Sequence, residues 1–148
     1  MYKHIMLPVE GDELSTKAVN ECFTLAKSIG AKVTVLHVVP HANMHVPVGF
    51  TSEIVENLKR QREEEEIRNG QKMLSEVEAS AKTAGVECDN IVVVGDNPCE
   101  EIIDNAEKND CDLIMMASHA RRGLDAMLFG SETVRVLRNT KIPVLVVR

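Results

Sequence analysis

Apolar positions along the chain follow two spacings that alternate from one end to the other. Residues 4–9, HIMLPV, are a short apolar run that predicts a strand. Over 15–29 the spacing changes, and Ala18, Cys22, Leu25, Ala26 and Ile29 fall on one face of a helix that Gly30 is placed to end. Residues 32–39, KVTVLHVV, are rich in β-branched side chains and predict a second strand. The stretch 40–51 is punctuated by Pro and Gly and reads as a loop. Beyond it a long helical pattern covers roughly 52–84, with Ile67, Leu74, Val77, Ala81 and Ala84 on one face and Gly70 as the place where a break would fall. Further strands are predicted over 86–94, over 111–117 (CDLIMMA) and over 142–147 (IPVLVV). Asn97 is placed to cap a helix that starts at Pro98, with Glu100 as its capping-box partner and Ile102, Ile103 and Ala106 as its apolar side. A short helix over 131–139 precedes the last strand.

Strands that read as almost continuous apolar runs need cover on both faces, and strands separated by helices obtain it in a parallel α/β sheet. Right-handed crossovers leave few ways to wind such a sheet. Ligands of these folds lie beyond the carboxyl ends of the strands, where the winding direction reverses. The segments after the first and fourth strands are therefore where a site is expected.

Composition narrows the picture. A chain of 148 residues, 44% apolar and 27% charged, suits a single domain spanning 1–148, and folding hides roughly 70% of the surface of a chain this long. Runs such as IVVVG and LIMMA are too short to cross a bilayer, and the opening MYKHIMLPVEG lacks the basic region and long apolar segment of an export signal, so a cytoplasmic protein is expected. A net charge of −6 argues against general nucleic-acid binding, which makes any phosphate contact local. Cys22, Cys88, Cys99 and Cys111 are scattered in or beside apolar segments without a C-x-x-C pair, and buried thiols are expected. The run KRQREEEE reads as a solvated helix face.

The connection 118–130 is more than twice as long as the roughly 2–6 residues usual between a strand and the next helix. It closes through Gly130 and Ser131 onto a helix start, where backbone N–H groups, a serine cap and the helix dipole favour an anion. His41 and His45 lie in a loop between Pro40 and Pro47, without a cysteine or carboxylate nearby to complete a metal shell, and are expected at the surface. Ser118 beside His119 is adjacency in sequence, not a nucleophile with its base and orienting acid. No Walker-type G-x4-G-K-[ST] commits a lysine to terminal phosphates, so rapid ATP hydrolysis is not expected.

Taken together, LPVEGD at 7–12, LHV at 36–38, GDNP at 95–98 and PVLVV at 143–147 resemble the universal stress protein family over essentially the whole chain. The resemblance implies a three-layer α/β fold of the adenine nucleotide alpha hydrolase-like kind, with a five-stranded parallel sheet in the order 3-2-1-4-5 and helices on both faces. It implies that His37, within LHV, makes a structural hydrogen bond. For the nucleotide-binding branch it implies G-x2-G-x9-G-[ST] after the fourth strand, which falls on Ala117, Ala120, Gly130 and Ser131. By the same resemblance, purine and ribose lie near Pro8, Val9, Glu10 and Val38. Met116, Ala117, His119, Ala120, Arg121, Arg122, Gly130, Ser131, Glu132 and Thr133 then surround ribose and phosphates. The implied ligand is ATP or AMP, optionally with Mg. The implied assembly is a homodimer through 142–147, an apolar edge that also invites pairing with a twin strand.

Several positions depart from the family pattern. Glu10 stands for Asp, Asp12 for Ser, and Ala117 and Ala120 for Gly. Alanine where φ must be positive costs about 1 kcal/mol, and its methyl takes space near a phosphate. Glu132, in the first turn of the receiving helix, competes with a ligand anion for the same N–H groups unless Arg121 and Arg122 turn inward. Two readings stand side by side. One is a cytoplasmic adenine-nucleotide switch or sensor in stress response that is not a metabolic enzyme. The other is a dimeric interaction module that has kept the loop and lost the ligand. A slow ATPase resting on His119 and the arginines is a third.

Overall fold

The computed structural model describes residues 1–45, 47–118 and 130–148. Its elements are β1 (His4–Pro8), α1 (Glu13–Ile29), β2 (Lys32–Val39), α2 (Ser52–Ala84), β3 (Cys88–Val94), α3 (Pro98–Lys108), β4 (Leu113–Ala117), α4 (Ser131–Asn139) and β5 (Val144–Val147). All strand pairings are parallel, as the apolar runs predict, and the order is β3-β2-β1-β4-β5, as the family resemblance implies. The winding reverses between β1 and β4, and their carboxyl ends open side by side.

Strand alternation divides the apolar residues between two layers. Ile5, Leu7, Val33, Val35, Leu113 and Met115 pack with Ala18, Cys22, Phe23 and Leu74 of α1 and α2. Met6, Leu36, Ile114 and Met116 face the other way, against Ile102 and Ala106 of α3 and Val136 of α4. The apolar runs are nearly continuous because both faces are covered.

Local chemistry sets the element ends. The Asp12 carboxylate caps α1 by accepting the Ser15 N–H at 2.8 Å, so the helix starts two residues earlier than its apolar periodicity shows. Gly30 ends it in the left-handed conformation, φ 69°. The long helix α2 runs through Gly70 without a break. A Cβ at that position would meet the His37 ring at 2.8 Å, so this glycine lets the helix approach β2 closely. Two expected caps differ from the sequence reading. Asn97 precedes α3, and Pro98 is its first residue, but the Asn97 side chain makes no cap hydrogen bond because its Oδ1 accepts from Arg135 at 2.8 Å. Gly130, not Ser131, occupies the cap position of α4.

Cys22, Cys99 and Cys111 are buried as expected, whereas Cys88 is only half-buried. Burial pushes the Cys22 and Cys111 thiols up to about 12. Among the described residues, no helix is long and apolar enough to cross a membrane.

Candidate functional site

Where β1 and β4 diverge there is a cleft of about 320 Å³, and two different kinds of wall enclose it. One end is made by the sheet and α3: Pro8, Val9, Leu36, Val38, Ile102 and Met116. The other is made by the last residue of β4, Ala117, and the first turn of α4: Gly130, Ser131, Glu132 and Thr133. Glu10 and Pro98 complete the lining.

The apolar end is fixed by hydrogen bonds that leave β1 little freedom as it exits the sheet. The Val9 N–H donates to the Leu36 carbonyl at 2.9 Å, and the Glu10 N–H donates to Ser15 Oγ at 3.1 Å. His37 Nδ1 lies 2.9 Å from the Val9 carbonyl. Since a carbonyl only accepts, that nitrogen carries the proton, and His37 makes the structural bond expected of it. Leu36 and Met116 belong to the core layer beneath α3 and α4, so this wall is continuous with the interior.

The polar end works differently. The Ser118 N–H continues the ladder by donating to the Val147 carbonyl at 2.8 Å, and Ser118 Oγ accepts the Gly130 N–H at 3.1 Å. The two ends of the long connection are thus tied together, and the Gly130 amide expected to meet a phosphate already has an acceptor. The next three N–H groups, of Ser131, Glu132 and Thr133, have no acceptor within the helix, as at any helix start. Ala117 is strand residue and not a left-handed turn, because Asp110 (φ 54°) is the only non-glycine with positive φ among the described residues. The backbone penalty expected of an alanine at 117 therefore does not arise.

Glu132 lines this end and its Oε1 accepts from Arg135 Nη1 at 2.9 Å, three residues further along α4. The second Arg135 nitrogen donates to Asn97. This pair spans α4 and the turn before α3, a link that neither helix alone would show.

The structure thus gathers Pro8, Val9, Glu10, Val38, Met116, Ala117, Gly130, Ser131, Glu132 and Thr133 around one cleft. His119, Ala120, Arg121 and Arg122 lie outside the described residues. Sequence reasoning missed Leu36, Pro98 and Ile102. Leu36 was within reach, since it shares a strand face with Val38 two positions on. Pro98 and Ile102 are one helical turn apart on α3, and only the tertiary arrangement brings that turn over the strand ends.

Elsewhere, His41 has a carboxylate after all. Its backbone N–H donates to Asp96 Oδ1 at 3.0 Å and its Nδ1 lies 3.0 Å from Oδ2, across the loops after β2 and β3. The backbone N–H of His41, and then its ring, hold the Asp96 carboxyl below its ordinary range. Among the described residues no cluster of three or more His, Cys, Asp or Glu could hold a metal ion.

Comparison with known proteins supplies an independent view. Residues 1–148 match the Universal stress protein family. Universal stress protein MJ0531 of Methanocaldococcus jannaschii is 34% identical over 149 residues, which span 100% of this chain and 83% of the relative. The solved structure of MJ0577, from the same organism, superposes with a TM-score of 0.81 at 28% identity, covering 99% of this chain and 96% of that one. A universal stress protein from Archaeoglobus fulgidus, solved in complex with dAMP, gives a TM-score of 0.66 at 20% identity, covering 99% and 98%.

Proposed function

Because the chain belongs to the universal stress protein family, we propose that the cleft between β1 and β4 binds an adenine nucleotide, ATP or AMP, and that occupancy acts as a switch in stress response. The observation that carries this reading is the cleft itself. It lies at the point of strand reversal, has the size of a small-molecule site, and joins an apolar wall to the amides that open α4. The Archaeoglobus fulgidus protein solved with dAMP supports it at the level of a shared fold. Mg accompanies the ligand when that ligand is a triphosphate. The protein works in the cytoplasm as a binding protein, not an enzyme; the Oγ of Ser118, which adjoins His119 in sequence, serves the loop closure by accepting the Gly130 N–H.

A ligand signals only by favouring one state over another, and residues at the cleft mouth are where such a difference is felt. The carrier of that signal is a homodimer formed through β5, an edge strand that presents Leu145, 38% exposed. Light scattering of the purified chain gives twice the monomer mass on this reading, and Leu145→Lys halves it.

Thermal unfolding tests the binding itself. Ligand at a hundredfold its Kd stabilises the folded state by about 2.7 kcal/mol, which for a chain of this size raises Tm by roughly 5–10 °C. ATP or AMP producing no rise, in a preparation that carries no retained nucleotide, contradicts the proposal.

A further inference from the structure

The two walls of the cleft are unequally suited to a nucleotide. The apolar wall is continuous with the core, whereas the described residues of the polar wall oppose anions in two independent ways. The Gly130 N–H is already bound to Ser118 Oγ, and Glu132 lines the cleft in the first turn of α4, bringing a negative charge to the helix end whose dipole would otherwise favour a phosphate. Arg135 does not compensate as a phosphate ligand. One of its nitrogens holds Glu132 and the other holds Asn97, so turning it toward a ligand breaks both bonds. Glu132 therefore brings a fixed negative charge to the amide end of the cleft, with its own counter-ion attached.

We propose that Glu132, held by Arg135, makes the cleft select against ligand charge, so that it takes an adenine nucleoside or nucleoside monophosphate in preference to the triphosphate. This rests on the reading of the cleft as an adenine-nucleotide site and narrows its ligand class. The sheet-built wall recognises the part that all these ligands share. The α4 wall discriminates among them by repulsion, an element of specificity that opposes the wrong ligand instead of attracting the right one. Each further phosphate brings negative charge toward the carboxylate. At a separation of several ångströms, with Arg135 offsetting part of the field, the discrimination is roughly twofold per added charge, which compounds to about tenfold for magnesium-free ATP.

The test is calorimetric titration of the full chain with adenosine, AMP and magnesium-free ATP, repeated for Glu132→Gln and Arg135→Gln. Glu132 is partly exposed and Gln matches its shape, so the fold is retained, and a melting curve verifies it. In the unaltered protein AMP binds at least as tightly as ATP. Glu132→Gln tightens ATP by roughly tenfold, tightens AMP less and leaves adenosine unchanged, while Arg135→Gln weakens ATP most. Binding of ATP that appears only in Glu132→Gln equally supports the selector. An ATP-to-adenosine affinity ratio that is the same with and without the Glu132 charge overturns it while leaving the adenine site standing. If neither the unaltered protein nor Glu132→Gln binds any of the three, the adenine reading fails and the selector with it.

Discussion

The two walls of the cleft differ in what made them. Pro8, Leu36, Val38 and Met116 are ends of strands whose remaining residues form the core, and Leu36 is 0% exposed while still bordering the cleft. The opposite wall is a helix start and its loop closure, held among the described residues by the Ser118 side chain, by the Glu132–Arg135 ion pair and by the Arg135–Asn97 bond. A wall built from the core cannot change without cost to folding. A wall built from a helix terminus changes more freely. On the proposed reading, recognition of the shared part of a ligand falls to the sheet-built wall and discrimination among its variants to the helix terminus.

Breaking the rigid wall has the largest effect. Leu36→Ala removes a fully buried side chain and lowers stability by about 3 kcal/mol, measured as a fall in the urea midpoint, and adenosine affinity falls with it. Gly70→Val acts at a distance. The new side chain drives into the His37 ring, which holds the Val9 carbonyl, at a cost of about 2 kcal/mol. A Gly70→Val protein as stable as the original would show that α2 does not press on β2 as described.

Changes in the opposite wall weigh less on folding and more on ligand charge. Ser118→Ala takes the acceptor from the Gly130 N–H and costs about 1 kcal/mol of stability. It also opens that amide to a ligand, so AMP affinity rises relative to adenosine, and titration of the two ligands measures the ratio.

The smallest effect lies at the far end of the sheet and serves as a control. Burial alone would raise the Asp112 carboxyl, but the backbone N–H groups of His4 and Lys3 outweigh it and hold the carboxyl below its ordinary range. A carboxyl lowered on folding contributes stability that is present above its unfolded value and is lost as pH falls through the folded one. Asp112→Asn therefore removes stability of about 1 kcal/mol or less after solvent screening, flattens the acid side of the stability curve, and leaves ligand affinity untouched.

The fold was legible because each strand is buried on both faces and therefore reads as an apolar run, with helical periodicity between runs. The place of the cleft was legible for the same reason, as the reversal point of the predicted sheet, whereas Pro8, Val9, Glu10 and Val38 followed from the family resemblance and Leu36, Pro98 and Ile102 were missed. What escaped the sequence were choices between equivalent partners. Asn97 looks like a cap, yet its carbonyl goes to Arg135, 38 residues away. Ser131 looks like a cap, yet Gly130 takes that place. His41 finds Asp96 only because the loops after β2 and β3 come together. Gly70 looked like a helix break because local propensity is all a sequence displays, and its actual role is the proximity of His37.

The proposed switch depends first on an adenine nucleotide occupying the cleft at the β1–β4 divergence. The most direct measurement is an amide-resolved NMR titration of the full chain with AMP. Saturable shifts are expected at Val9, Val38, Met116 and Ser131, with residues beside Asp112 at the opposite end of the strands unmoved. Spectra that do not change up to saturating AMP, or shifts centred away from that cleft, contradict that occupancy.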